Sequence, residues 1–314
     1  MDGSKTNYLQ KLKVKFNSRS NRDLMFWMAL IAPAFIICII FILIPIVNSV
    51  IMSFTTYKIN NLVNGISGQW NNFANYTRLW QSGKLQSSII ITLEFVLAVV
   101  LATFMISMTL ALILNSNIRG ARVLRSIMMI PWVVPTVIAA LLWSWIFSSP
   151  YGLLKYLVGV LSNGSVSNFA MLNSTSTALW GVSIAALWKQ IPLITLLLLA
   201  GLQNVPEDIM EAAKVDGASG VVRLFKITIP YMKSVIKVSM SMCIIENFKQ
   251  YPLFAALTNG GPSRSTTSLA VLSYDEAFVN FNYGSGAAVT TVWLLLMIIV
   301  VIIFNRIFKS EDLG

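Results

Sequence analysis

Long runs of apolar residues alternate with short polar segments along almost the whole chain. A helix that crosses a bilayer needs about 20 predominantly apolar residues, and six runs have at least this length. Because a helix satisfies its own backbone polar groups in lipid, the pattern predicts an all-α polytopic membrane protein with six transmembrane helices. The predicted spans are approximately residues 25–54, 88–114, 127–147, 177–202, 231–257 and 283–304.

The polar segments differ in charge. Most of the 23 Lys and Arg residues fall in alternate polar segments, and cytoplasmic loops carry such an excess of positive charge. Both termini and the segments 115–125 and 204–230 are therefore predicted to be cytoplasmic. The predicted domains are a basic cytoplasmic tail, residues 1–23, and a transmembrane domain, residues 24–314, with its core at 88–308. The predicted external loops are 55–86, 148–175 and 258–283.

Composition agrees with a membrane protein and excludes several other classes. Of the 314 residues, 56% are hydrophobic and 11% are charged, whereas soluble domains carry about 25% charged residues. The excess of Lys and Arg in the segments predicted to be cytoplasmic accounts for the net charge of +11, so nucleic-acid binding is not predicted. The chain has no histidine, which removes the commonest proton shuttle and metal ligand. We predict no catalytic residues and no metal site, and a membrane enzyme is the weakest of the function classes considered.

The polar segment 204–230, between the fourth and fifth predicted spans, is rich in helix-forming residues. Pro206, followed by two acids, is typical of a helix start. Gly217 predicts the end of that helix, because glycine readily adopts the left-handed conformation. A second short helix is predicted over 221–225, and Pro230 opens the fifth span. From the residues alone, these helices fit a groove on a partner protein and the membrane surface equally well.

Three short motifs in this segment resemble the EAA loop of ABC importer permeases. They are Glu211-Ala212-Ala213, Asp216-Gly217-Ala218 and the closing Ile227-Thr228-Ile229-Pro230. A further stretch is similar to carbohydrate-uptake permeases of the maltose (MalF) and glycerol-phosphate type, namely Thr258-Asn259-Gly260-Gly261-Pro262 followed by Tyr274, Ala277-Phe278 and Gly284. The loop between the first two spans is short, so the large inserted domain of the enterobacterial maltose permease is absent.

The resemblance implies an ABC importer permease fold of the MalF/MetI-like type, in the bacterial cytoplasmic membrane. It implies partners as well: a homologous second permease, two ATPase subunits, an extracellular sugar-binding protein and membrane lipid. The sequence lacks a G-x-x-x-x-G-K-[ST] phosphate loop, so ATP and Mg are expected on the ATPase subunits and no cofactor on this chain. The implied ATPase-docking positions are Glu211, Ala212, Ala213, Asp216, Gly217 and Ala218.

Polar side chains at membrane depth are costly and therefore suggest a function. The resemblance implies that sugar contacts come from the segment before Pro192 and from the middle of the fifth span, with Trp188, Phe248 and Tyr251 offering aromatic faces. Alternatively, the charged residues pair across helices and only hold the bundle together. The predicted substrate path comprises Lys189, Gln190, Glu246, Asn247, Lys249, Gln250 and Tyr251.

Two function classes remain open at this point. The first is the transmembrane permease subunit of an ATP-driven importer that translocates an oligosaccharide or related sugar delivered by an external binding protein. The second is a self-contained secondary transporter or channel for a polar solute. A protein of this second class does not need the three EAA-loop motifs in segment 204–230.

Overall fold

The computed structural model describes residues 19–116, 119–164 and 169–308. The predicted tail up to residue 18 therefore lies outside the described residues. The chain divides into two compact units, Met1–Met52 and Ser53–Gly314.

The first unit contains one apolar helical segment with a local defect. Helix α1 (Arg19–Cys38) leads into a π-helical turn at Ile39–Leu43, and α2 (Ile44–Ser53) follows. Pro45 lies inside the continuous helical segment Asp23–Ser53, where its missing N–H removes one hydrogen bond of the helix. The wider π turn directly before it is a common way for a helix to accommodate such a local irregularity.

The described residues of the second unit are mainly helical, with one two-stranded antiparallel sheet. The longest helices among them are Lys84–Asn115, Ala178–Gln203 and Tyr283–Ile307, and shorter helices and two further π turns connect them. In chain order the elements are β1 (Thr55–Thr56), α3 (Ile59–Val63), β2 (Gln69–Trp70), α4 (Ala74–Gln81), α5 (Lys84–Asn115), α6 (Ala121–Met128), α7 (Ile130–Val133), α8 (Thr136–Ile146), α9 (Leu153–Leu161), α10 (Ala178–Gln203), α11 (Glu207–Val215), α12 (Gly220–Arg223), a π turn (Leu224–Thr228), α13 (Ile229–Tyr231), α14 (Lys233–Phe248), α15 (Pro252–Leu257), α16 (Leu269–Tyr274), a π turn (Asp275–Val279) and α17 (Tyr283–Ile307).

Four helical segments in the described part of the chain are long and apolar enough to cross a membrane. They correspond to the predicted first, second, fourth and sixth spans. The predicted third and fifth spans are not single straight helices. The four segments are Asp23–Ser53, Lys84–Asn115, Ala178–Gln203 and Tyr283–Ile307.

The predicted third span, 127–147, is sharply bent. The helical segments Ala121–Val133 and Thr136–Ile146 meet at 94°, and counting them as one broken span gives five candidate spans. Pro135 explains the break, because proline has no N–H and disfavours helical geometry at the residue before it. Val134 is accordingly extended, with φ −60° and ψ 128°.

The predicted fifth span, 231–257, is interrupted at its polar cluster. Helix α14 has 16 residues, which is shorter than the roughly 20 that a bilayer requires. The chain leaves the helix at Lys249 and re-enters it at Pro252, which occupies the first helical position of α15. The interruption lies at the residues that were predicted to contact substrate.

The core is built mainly where α5 packs against α10. Small side chains at this contact, including Ala111, Ala185 and Ala186, have no exposed surface. Small residues allow helices to approach closely in a membrane, where packing rather than the hydrophobic effect drives association. Helix α14 packs on the same pair and adds Ile236 and Met240 to the cluster.

The end of the molecule predicted to be external is tied to the start of α17. Asn75, on α4, donates from Nδ2 to the backbone oxygens of Ser53 (2.8 Å) and Thr55 (2.9 Å). A Cβ at Gly284 would lie 2.3 Å from the Thr55 oxygen, so only glycine fits there. The small sheet, α4 and α17 therefore form one packed arrangement.

Candidate functional site

A cavity of about 560 Å³, lined by polar and apolar side chains together, lies between α10, α14 and the bend of the third span. Trp132 and Thr136 line it on the side of the bend and were not predicted. They lie on either side of Pro135. Because proline disrupts a helix, Pro135 was the signal in the sequence that could have identified these two residues. Five of the seven predicted substrate-path residues also line the cavity: Lys189, Gln190, Glu246, Lys249 and Gln250.

Lys189 does not extend freely into this cavity. Its Nζ donates to the carbonyl oxygens of Val134 (2.6 Å) and Trp132 (3.2 Å). Carbonyls at the end of a helix lack partners within the helix, and the break at Pro135 leaves two such groups within the predicted third span. Lys189 therefore stabilises the bend of the third span from the neighbouring helix.

Gln190 is oriented by two side chains of α14. Its Oε1 accepts hydrogen bonds from Asn247 Nδ2 (2.7 Å) and Cys243 Sγ (3.3 Å). Because the oxygen is occupied, the Gln190 amide nitrogen is the group left to donate toward the cavity. Asn247 itself is 2% exposed and donates to the Cys243 carbonyl oxygen as well, at 2.9 Å. Asn247, predicted to contact substrate, thus lies behind Gln190 rather than at the cavity surface.

Glu246 and Lys249 form the ion pair that their spacing predicts. The distance from Lys249 Nζ to Glu246 Oε1 is 2.7 Å, and both side chains are about half exposed. The pair lies where α14 ends, next to Gln250. The cavity wall therefore combines a neutralised ion pair with amides, which suits a ligand rich in hydroxyl groups.

The predicted aromatic faces are placed differently. Phe248 is 1% exposed and packs in the core, so its ring is not available to a ligand in the cavity. Trp188 lies edge-on against Trp143, with centroids 6.0 Å apart. Tyr251 does not line the cavity, and its ring packs on Tyr274 with centroids 4.9 Å apart.

The segment 204–230 folds into an elbow of two short helices. Helix α11 ends in a Schellman motif, in which Gly217 N–H donates to the Lys214 oxygen (3.0 Å) and Ala218 N–H to the Ala213 oxygen (2.9 Å). Gly217 has φ +79°, the left-handed conformation predicted from the sequence. Ser219 then caps α12, its Oγ accepting from the Val222 N–H.

One face of this elbow is exposed. Among the predicted docking positions, Glu211, Ala212, Asp216 and Gly217 are exposed, Ala218 is half-buried and Ala213 is buried against the chain itself. Five large apolar side chains on the elbow are also exposed and were not predicted: Val215 (88%), Val221 (67%), Phe225 (63%), Ile209 (42%) and Val222 (40%). Their presence on a polar segment was the signal that could have identified them, because exposed apolar groups mark contact surfaces.

Comparisons with known proteins agree with these features. The family described as "Binding-protein-dependent transport system inner membrane component" matches residues 103–311. The trehalose/maltose transport system permease protein MalF of Thermococcus litoralis is 34% identical over 74% of this chain and 78% of its own length. The trehalose transport system permease protein SugA of Mycobacterium tuberculosis is 31% identical over 81% of this chain and 80% of its own.

The fold is also found in a solved structure. A bacterial ABC transporter involved in the import of the acidic polysaccharide alginate contains a chain that superposes with a TM-score of 0.77 at 20% identity, covering 96% of this chain and 99% of that one. The match to the family model and the similarity to SugA and MalF confirm the resemblance drawn from the EAA motifs. The chain is therefore a multi-pass protein of the cytoplasmic membrane and belongs to the inner membrane components of binding-protein-dependent transport systems, the permeases of ABC importers.

Proposed function

We propose that this chain is the permease subunit of an ATP-driven importer that translocates an oligosaccharide or related sugar, coupled to a separate ATPase through the segment 204–230. The observation that carries the coupling is the exposed elbow at Gly217, with acids and apolar side chains on its free face. A groove on a partner protein recognises this combination, because apolar anchors supply affinity and charges supply orientation.

The partners follow from this arrangement and from the family. They are a homologous second permease, two ATPase subunits that bind ATP and Mg, and an external sugar-binding protein. An alginate transporter of the same fold has been crystallised with a periplasmic protein that holds an alginate pentasaccharide. Both termini of this chain and the elbow lie in the cytoplasm, as the distribution of Lys and Arg predicts. No ATP is hydrolysed on this chain.

The sugar assignment is supported by the cavity and by the relatives. The relatives named above belong to trehalose and maltose transport systems, and the permease SmoG of Agrobacterium fabrum, 29% identical over 92% of this chain, belongs to a sulfoquinovosyl glycerol system. In the cavity, Gln190 and Gln250 would hydrogen-bond to sugar hydroxyls. The pair Glu246–Lys249 would accept and donate at the same surface, and Asn247 would hold Gln190 in position.

Uptake by the intact transporter tests this assignment. Cells that carry the whole complex are given labelled maltose, a longer maltose oligosaccharide, trehalose, sulfoquinovosyl glycerol and an alginate oligosaccharide. We expect ATP-dependent import of at least one, and we expect Gln190→Leu and Gln250→Leu each to lower uptake at sub-saturating sugar by about 2- to 10-fold, the equivalent of one hydrogen bond. Gln81→Leu, an exposed glutamine on α4, is the matched control. Import of none of the five sugars would contradict the proposal.

A further inference from the structure

A row of aromatic rings leads away from the cavity. Tyr251 lies on Tyr274 with centroids 4.9 Å apart, and Tyr274 lies on Phe278 at 5.1 Å. The row continues to Tyr283 at 6.4 Å and from there to Tyr57 at 6.1 Å. These five residues come from three separate parts of the sequence, and we call them the ring row.

The two ends of the ring row lie at functionally different places. Tyr251 stands in the chain between Gln250 and Pro252, both of which line the cavity. Tyr57 follows β1, in a segment predicted to be external. The ring row therefore extends from a residue that neighbours the cavity lining in the chain to a segment that is predicted to be external.

The middle of the ring row is exposed although it is aromatic. Tyr274 is 43% exposed and Phe278 is 57% exposed, whereas core rings such as Phe95 and Phe254 are about 1% exposed. The planes of Tyr251, Tyr274 and Phe278 are tilted by only 31° and 36° between neighbours. Tyr274 and Phe278 therefore keep ring surface that the described residues of this chain do not cover, whereas Tyr57, Tyr251 and Tyr283 are half-buried.

The backbone that carries these rings is firmly held. Glu276, in the π turn Asp275–Val279, is 4% exposed. Its carboxylate accepts from Lys84 Nζ at 3.0 Å, lies 3.8 Å from Arg78, and accepts from Asn280 Nδ2 at 3.3 Å. Because the carboxylate itself is buried, leaving it without these partners would be costly, so the contacts hold this turn in place.

Close helix packing fixes the same turn from the other side. A Cβ at Gly286 would lie 2.6 Å from the Ala277 side chain, so α17 approaches the turn as closely as only glycine permits. Burial raises the pKa of the neighbouring Asp275 carboxyl, and Arg264 partly opposes that rise. A rigid turn that keeps aromatic rings exposed is an expected property of a ligand-binding surface.

We propose that the ring row is a sugar-binding track along which the substrate passes from the external face to the cavity. This inference rests on the proposed sugar-import function. Pyranose rings present apolar C–H faces that stack on aromatic rings, and four of the five rings are tyrosines whose hydroxyl groups bind sugar hydroxyls. A series of similar, closely spaced contacts holds a ligand while allowing it to move on.

Substitution of single rings tests the track in the intact complex, with the same five labelled sugars. We expect Tyr274→Leu and Phe278→Leu each to reduce uptake at sub-saturating sugar by about 3- to 10-fold, as expected for the loss of one aromatic contact. Phe278→Tyr retains the ring and should restore uptake. Phe281→Leu is the matched control, because Phe281 is 50% exposed in the same segment but lies outside the ring row.

The outcomes separate the track from the function on which it rests. If the unmodified complex imports a sugar and both leucine variants import it equally well, the track is wrong while the proposed function stands. If the leucine variants lose the second permease on purification, the ring row is a subunit contact and the track is wrong again. If the unmodified complex imports none of the five sugars, both proposals fail.

Discussion

Lys189 and Asn247, two of the residues predicted to contact sugar, have protein partners that accept from two of the three Lys189 N–H groups and from both Asn247 amide N–H groups. The Lys189 ammonium binds the carbonyls of Val134 and Trp132, and the Asn247 amide binds Gln190 and Cys243. The sequence predicts a functional or structural role for such side chains, because polar groups are rare within membrane-spanning segments. It does not predict which way they face, since the Lys189 partners lie up to 57 positions away in the chain.

Removal of the Lys189 ammonium should loosen the bend of the third span. Lys189→Met leaves two carbonyls without a partner at membrane depth, which we expect to cost about 1–3 kcal/mol of stability. Lys249→Met, whose partner Glu246 is about half exposed, should cost less than about 1 kcal/mol. Thermal unfolding of the purified complex measures both, and an equal loss in the two variants would show that Lys189 does not support the bend.

Asn247 should influence sugar binding through Gln190. If so, the substitutions Asn247→Leu and Gln190→Leu are not independent. The double variant should lose less sugar-binding free energy than the two single variants lose in total. The expected coupling is about 0.5–1.5 kcal/mol, the size of one hydrogen bond. Sugar affinity measured for the four members of the cycle gives this quantity, and strict additivity would contradict the positioning role.

Among the elements, the elbow is the most predictable because its signals are local. A proline and two acids begin α11, and Gly217 ends it in the conformation that the sequence predicts. The effects of interior prolines are less predictable. Pro135 breaks the third span, whereas Pro192 remains inside α10 and Pro33 inside α1. The presence of a proline therefore does not by itself decide whether a helix breaks.

The left-handed turn at Gly217 should be required for ATPase docking. A Cβ at Gly217 would meet nothing within 4 Å, so Gly217→Val acts through the backbone, with a cost of about 1–2 kcal/mol at positive φ. Gly220→Val is the control, because Gly220 lies in the same elbow without a positive φ. Co-purification of the ATPase should fall for Gly217→Val and persist for Gly220→Val; the same yield for both would contradict the role of this turn.

At the scale of the whole molecule, hydropathy locates the apolar helices well. Four of the predicted spans are long apolar helices in the structure. Their prediction required only the length and apolar composition of each run. The bent third span and the interrupted fifth span depend on where prolines and polar residues meet other helices. These two irregular elements line the cavity, so the hydropathy pattern fails where the candidate site is formed. Irregular backbone at membrane depth is tolerated where it is enclosed by protein or borders a cavity.

The central claim is that a separate ATPase drives sugar import through the elbow, and Glu211→Lys tests it most directly. ATP hydrolysis and sugar uptake are measured together in proteoliposomes that contain the intact complex. We predict that Glu211→Lys reduces sugar imported per ATP hydrolysed by at least about tenfold, the equivalent of about 1.4 kcal/mol. Glu211→Asp, which keeps the charge, should import nearly normally. Unchanged import per ATP in Glu211→Lys would contradict the account.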